Sequence, residues 1–237
     1  MKFKFLLGAF TAMALISAPF ISTAQADQSR FGIGIAGGAG NFDTSGTETE
    51  GTATDSSTRT ANESAGVPIA NIFVEYAARF DDFGATIGLN VIPGEHTLGK
   101  RSRTDEDGDD ASENDDGTYT AKANVSEHVG FYLEPTYYMP GTETGFYVKA
   151  GLLRTTVDSL EAIDIGGDSS TYGDETIYGK QIGIGLRSRH ETGFFYKFEY
   201  TETDYDSIEL TSTTGNKNKI TADVDGQMFT FGIGFSF

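Results

Sequence analysis

Ser126, Glu127 and His128 set a hydroxyl, a carboxylate and an imidazole side by side, the residue types with which an adjacent base activates a weak nucleophile. If the segment is a strand, its side chains alternate, so Ser126 and His128 share one face while Glu127 points to the other. The carboxylate that would orient the base is then turned away from it. A Ser/His pair in a polar interior reads more simply as a packing hydrogen bond, and no catalysis is expected. The remaining histidines, His96 and His190, read as a loop residue and a turn residue.

Two further patterns imitate binding motifs. Gly32-Ile33-Gly34-Ile35-Ala36-Gly37 matches the dinucleotide fingerprint as text, but its glycines fall inside a strand pattern with no helix after it, so no cofactor is expected. From Thr104 to Gly117 the chain reads TDEDGDDASENDDG, in which Asp105, Asp107 and Asp109 mimic the first ligands of a calcium loop. Asp110 stands where that loop needs glycine, and Asp116 replaces its final bidentate glutamate. A solvated acidic loop is expected, since like charges repel and extend, and no metal site is assigned.

What must position all of these residues is an alternation of period two. The closing QMFTFGIGFSF puts Phe229, Phe231, Ile233, Phe235 and Phe237 on one side of a strand and Met228, Thr230, Gly232, Gly234 and Ser236 on the other. Such a strand leaves an edge bare unless it pairs with the first strand in a closed barrel. The same alternation runs through residues 30–42, 67–80, 83–91, 118–138, 145–157, 177–189 and 194–201. Asp81-Asp82, Met139-Pro140-Gly141 and the segment 190–193 make short turns, whereas polar segments near 43–66, 95–117, 158–175 and 205–222 are expected as long loops. Short turns at one end and long loops at the other predict an all-β, eight-stranded antiparallel up-and-down transmembrane β-barrel. Ten strands follow if a long loop holds a hairpin.

Eight strands enclose an interior just wide enough for side chains to fill. The alternation turns Glu75, Arg79, Glu134, Lys149, Arg187, Lys197 and Glu199 inward. Four cations there face three carboxylates, close to the balance that buried charges need. Their mutual ion pairs, reaching into space beside Gly32, Gly34, Gly84, Gly88, Gly232 and Gly234, would plug the lumen.

Composition narrows the class further. Lys2 and Lys4, an apolar run over 6–21 and Ala24-Gln25-Ala26 read as a cleaved signal peptide, residues 1–26, leaving 27–237 as one barrel domain. Zero cysteines exclude a disulfide framework and thiol chemistry. A formal charge of −18 offers no basic footprint for phosphate backbones, so no nucleic acid is expected as a partner. Mean hydropathy of −0.30, without a second long apolar run, excludes a helical membrane protein, while a barrel needs only alternate residues to face lipid.

Together the signal peptide, the first-strand FGIGIAGGAG, the charged aromatic FFYKFEYTETDYD and the closing GIGFSF resemble the small outer-membrane β-barrels that include the transmembrane domain of the OmpA family. The resemblance implies residence in the outer membrane among its lipids and lipopolysaccharide. It also implies assembly by the barrel-assembly machinery, which would read Phe229, Phe231, Ile233, Phe235 and Phe237. A monomer without enzymatic activity is expected, a structural and surface-interaction protein whose specific contacts lie in acidic outer loops. A narrow small-solute channel is the first alternative. A lipid A-modifying enzyme is the second, since such deacylases use Ser, His and Glu, although no flanking motif here matches them. Divalent cations held by the 104–117 run, or Lys100, Arg101 and Arg103 directly, would meet lipopolysaccharide phosphates.

Overall fold

The computed structural model describes residues 28–52, 55–105, 117–163, 171–213 and 219–237. The signal-peptide segment and residues 106–116 of the acidic run lie outside the described residues. Ten strand segments follow in order: β1 (Gln28–Thr52), β2 (Asp55–Phe80), β3 (Phe83–Ile92), β4 (His96–Asp105), β5 (Gly117–Tyr138), β6 (Thr144–Ile163), β7 (Thr171–Arg189), β8 (Phe194–Tyr205), β9 (Ile208–Thr211) and β10 (Lys219–Ser236). All ladders are antiparallel, and β1 pairs with both β2 and β10, so the sheet closes on itself. β3 and β4 lie end to end along β5, and β8 and β9 lie end to end along β10. The ten segments therefore make eight staves.

Near the chain ends the apolar residues of each stave face outward. Phe31, Ile33 and Ile35 of β1, Ile184 of β7, and Phe231 and Phe235 of β10 are exposed, and Phe229 is 66% exposed. Apolar surface on this scale would drive association in water. Wrapped around a closed barrel, it is the lipid-facing band of a membrane protein. Ring pairs tie neighbouring staves within it, Phe198 to Phe231 at 4.7 Å and Tyr200 to Phe229 at 4.6 Å between centroids.

Further along the staves the two faces exchange their chemistry, and where no bulge or break intervenes they keep their parity. On the outer face of β10, Phe235, Ile233, Phe231 and Phe229 give way to Gln227, Asp225 and Asp223, while on the inner face Met228, Val224 and Ala222 are buried. β8 behaves alike: Tyr196, Phe198 and Tyr200 are followed outside by Glu202 and Asp204, and inside by Thr203 and Tyr205. Phe42, Val67, Val157, Tyr172, Ile177 and Leu210 join this inner cluster. Beyond the lipid, water is the outer solvent, so the apolar face turns in.

That cluster corrects the long-loop reading of 43–66, 95–117, 158–175 and 205–222 where residues are described: 43–52, 55–66, 96–105, 158–163, 171–175, 208–211 and 219–222 are strand, while 53–54, 106–116, 164–170 and 214–218 lie outside the described residues. β1 and β2 stay in register out to Thr52 opposite Asp55, and their 25 and 26 residues are more than twice the roughly 9–11 that cross a bilayer. Burial of the inner apolar face holds the surplus in strand form. Two seams lack a ladder among the described residues: beyond Ile72 opposite Val91, β2 pairs with β1 alone and not with β4, and beyond Gly179 opposite Tyr205, β7 pairs with β6 and not with β9.

Within the lipid band, rings occupy the room that inward glycines leave. Phe73 lies against Gly34, Phe195 against Gly234, Tyr138 against Gly84, Tyr132 against Gly88 and Tyr147 against Gly185. At Gly34, Gly84, Gly88 and Gly234 this corrects the expectation that charged side chains fill that space, whereas at Gly32 the Glu75 side chain does lie alongside, next to Phe195. A Cβ on Gly88 would overlap the Tyr132 ring, which is 2% exposed and has nowhere to move, whereas a Cβ on Gly66 meets nothing within 4 Å. Gly88→Val is expected to destabilise the refolded barrel by about 1–3 kcal/mol. Gly66→Ala should stay within about 0.5 kcal/mol of the parent. Urea titration, read as the gel mobility of unheated samples because the chain has no tryptophan, checks this; equal midpoints for all three proteins would refute it.

Candidate functional site

Six charged side chains from five staves meet in the lumen at the level of the lipid band. Glu75 comes from β2, Glu134 from β5, Lys149 from β6, Arg187 from β7, and Lys197 and Glu199 from β8. Each stands on the inner face by strand parity, two residues from its like-facing neighbours. Glu134 has no exposed surface, and Glu75, Lys149, Arg187 and Lys197 are buried.

Lys197 is the hub of this cluster. Its Nζ donates to both carboxylate oxygens of Glu134, at 2.7 and 2.8 Å, and to Glu75 Oε2 at 3.3 Å. Arg187 donates from Nη2 to Glu75 Oε1 at 2.7 Å and from Nη1 to the Thr86 hydroxyl at 2.6 Å, with Glu134 Oε2 3.7 Å away. Lys149 donates to Glu199 Oε1 at 2.8 Å and approaches Glu134 at 3.8 Å. Tyr147 donates to Glu199 at 3.0 Å and Tyr132 to Glu75 at 3.4 Å. Rings also cover the cations, with Lys149 Nζ 4.2 Å from the Tyr132 centroid and Lys197 Nζ 5.1 Å from that of Tyr147. Each charge thus has an opposite charge, a hydroxyl or a ring on its other sides, which offsets its removal from water.

Arg79 does not join them. It sits at the rim near the chain ends, where its Nη1 donates to Glu143 Oε1 at 2.8 Å and its Nε to the Asp81 carbonyl at 2.7 Å. Arg189 holds the other oxygen of Glu143, from Nε at 3.0 Å. With Arg79 placed elsewhere, the four-against-three count of inward charges becomes three cations against three carboxylates. The seven residues therefore divide into a neutral cluster of six and one rim residue.

Sequence reasoning missed several members of the site. Tyr132, Tyr147, Phe73 and Phe195 have inward parity but no charge to draw attention to them. Thr86 shares that parity and is small. Glu143 lies in the turn between β5 and β6, where no alternation exists to orient it, so no local signal could have paired it with Arg79 and Arg189.

The Ser126/His128 pair is not assembled. Between Ser126 opposite Thr156 and Val129 opposite Arg154 the β5 register slips by one residue, with Glu127 at φ 51°. This bulge breaks the two-residue spacing on which a shared face depends. Glu127 is exposed and accepts from Arg154 at 3.5 Å and Thr156 at 3.2 Å. Nε2 of buried His128 has no hydrogen-bond partner among the described residues, Ser126 included. His96 begins β4 instead of lying in a loop, and His190 caps the turn before β8 through Thr192. Among the described residues no group of three or more His, Cys, Asp or Glu is placed to hold a metal ion.

Because Glu134 has its ion pairs wholly inside the lumen, Lys197→Met is expected to destabilise the barrel by about 3–5 kcal/mol, the cost of leaving a buried charge unpaired. Arg79→Met at the rim, where the Arg79–Glu143 pair is only partly buried, should cost less than Lys197→Met, about 1 kcal/mol. Combining Lys197→Met with Glu134→Gln should restore part of the loss. Chemical denaturation of these proteins, the Glu134→Gln single variant and the parent in one lipid system tests this, and additive losses in the double variant would exclude coupling.

No curated protein matches the chain. Among solved structures, the outer membrane protease OmpT from Escherichia coli is 10% identical, with 91% of this chain and 99% of that one covered at a TM-score of 0.48. The outer membrane protein OprG from Pseudomonas aeruginosa is 15% identical over 90% and 99%, with a TM-score of 0.45. Ail, the attachment invasion locus protein of Yersinia pestis, is 12% identical over 87% and 97%, at 0.33. Likenesses of this strength carry no argument about activity. A family model described as the outer membrane protein beta-barrel domain matches residues 8–237. The eight closed staves, the exposed apolar band and that match lead to one assignment: the chain belongs to the outer membrane protein beta-barrel domain family.

Proposed function

We propose that this protein is a non-enzymatic surface protein of the outer membrane, a closed barrel that anchors an acidic strand extension facing the medium. The observation that carries the reading is the lumen. Six mutually paired charges fill it at the lipid level, and an apolar cluster fills it beyond, so its inside offers no continuous wet path. A pore for small solutes would need the reverse, a polar passage kept open by unpaired charge. The specific chemistry then lies on the outside of the extension.

That outside is negatively charged in one sector. Asp204 of β8 stands opposite Asp225 of β10, which stands opposite Asp43 of β1, and Glu202 and Asp223 flank the row. These carboxylates share the outward parity of Tyr200 and Phe229, just beyond the lipid band. Such a surface attracts cationic partners and rejects anionic polymers, by an attraction that salt screens within about 8 Å at physiological strength. The phosphates of neighbouring lipopolysaccharide would reach it through divalent cations. Delivery to the membrane would follow from the aromatic last strand, with Phe229, Phe231, Ile233, Phe235 and Phe237 read by the assembly machinery.

Three outcomes are expected. Refolded protein in planar bilayers shows no steady conductance, and deletion of the gene leaves the lipid A mass profile unchanged. Binding to polycationic ligands weakens with added salt and drops several-fold in an Asp43→Asn, Asp204→Asn, Asp225→Asn variant. Steady single-channel currents from the parent would sink the closed-lumen reading, and salt-independent binding would sink the electrostatic one.

A further inference from the structure

Beyond the charge cluster the lumen contains a second space of opposite chemistry. Its wall is built from Phe42, Val67, Ile69, Val157, Ile177 and Val224, and it encloses about 30 Å³. His128 also faces it, is 5% exposed, and keeps Nε2 without a hydrogen-bond partner. Of the other polar side chains on the wall, Thr155 donates to the Ser126 carbonyl at 2.9 Å, His96 Nε2 lies 3.3 Å from the Pro93 carbonyl, and Tyr205 brings a phenol hydroxyl. The His128 ring nitrogen is the buried polar atom of this mostly apolar chamber that has no hydrogen-bond partner among the described residues.

The missing partner has a definable chemistry. No lysine or arginine lines the chamber, so a carboxylate or phosphate would enter it uncompensated. A hydroxyl both donates and accepts, and so satisfies Nε2 whichever tautomer the ring adopts. The walls select hydrocarbon for the rest of the molecule. Gly94 and His96, which line the chamber, lie where β3 stops and β4 begins, beside the seam at which β2 has no ladder partner. A small volume walled in part by residues of this seam has room for the polar end of a longer molecule, and the seam is the route by which a tail would leave sideways.

We propose that this chamber binds a neutral apolar alcohol, with the hydroxyl on Nε2 of His128 and the hydrocarbon chain running out between β2 and β4. The ion-paired cluster ends the path on the inner side, so the site holds its ligand and does not pass it through the membrane. It is independent of the acidic outer surface, and either reading stands if the other fails.

The test uses methyl-labelled full barrel in nanodiscs, titrated with 1-octanol, 1-chlorooctane and octanoate. Saturable intermolecular NOEs from 1-octanol to Val67, Ile69 and Val157, with a shift of the His128 ring nitrogen signal, are expected. 1-Chlorooctane, equal in length but without a hydroxyl, should bind at least about fivefold more weakly, the ratio one neutral hydrogen bond supports. Octanoate should not compete. His128→Phe should erase the preference for the alcohol, and Val224→Trp should fill the chamber and remove the NOEs. Overturning results are NOEs that never saturate, no preference for the alcohol, competition by octanoate, or NOEs to His128 from water alone. Should Val224→Trp fail to fold, the alcohol-to-chloride ratio in His128→Phe still decides.

Discussion

Closure of β1 on β10 is the constraint from which the rest of the structure follows. Hydrocarbon offers no hydrogen bonds, so each backbone N–H and C=O at lipid depth must pair within the protein, and only a sheet without edges does this with strands. Here the seal runs from Phe31, whose N–H donates to Phe237 and whose carbonyl accepts from it, up to Thr49 opposite Lys219. The glycine-rich face of β1 lies along the inner face of β10, where Gly34 meets Gly234 in register. Two walls without side chains at that height admit the Phe73 and Phe195 rings, whose centroids are 6.0 Å apart. Closing the ring thus creates the space that the aromatics fill.

An eight-stave lumen cannot stay empty, and its filling obeys an electrical condition as well as a steric one. Buried charges persist only when opposite charge and hydrogen bonds replace the water they lose. Glu134, with no surface exposed, meets this through Lys197 at two oxygens and through Lys149 and Arg187 at longer range. The exit of Arg79 to the rim is part of the same condition. A fourth cation among three carboxylates would carry its charge into the lipid-level interior without a counter-ion, and at the rim Glu143 supplies one.

The alternation of side chains made much of this legible. It is read without ambiguity from Phe229 to Phe237, and it put six residues of the cluster on one face of five strands before any contact was known. Its two blind spots have physical causes. Reading 43–66 and 205–222 as loops follows from expecting apolar residues outside; in Tyr205, Ile208 and Leu210 they are inside, with Asp206 and Glu209 between them. On either side of the three-residue step from Tyr205 to Ile208 the period of two persists with reversed sign, and a test for lipid-facing strands rejects it. At Ser126 and His128 the failure is one of counting, because parity cannot foresee a bulge, and a single inserted residue reverses everything beyond it.

The irregularities of the wall are concentrated at the height where the sign reverses. Ile92, the last residue of β3, is opposite His128, and His96, the first of β4, is opposite Val125. Three residues, Pro93 to Glu95, on one stave therefore face two, Ser126 and Glu127, on the next, so that β3 gives way to β4 where the unbroken β5 carries its bulge. Proline without an N–H and Glu127 at positive φ are poor members of a continuous ladder. At lipid depth such a break would strand backbone groups in hydrocarbon; at the water boundary they are solvated. The barrel can therefore be opened on this side only where the lipid ends, which is also where its interior changes from charged to apolar. A seam, an apolar chamber and an unpartnered imidazole share one level because that level is the first at which the fold tolerates a gap.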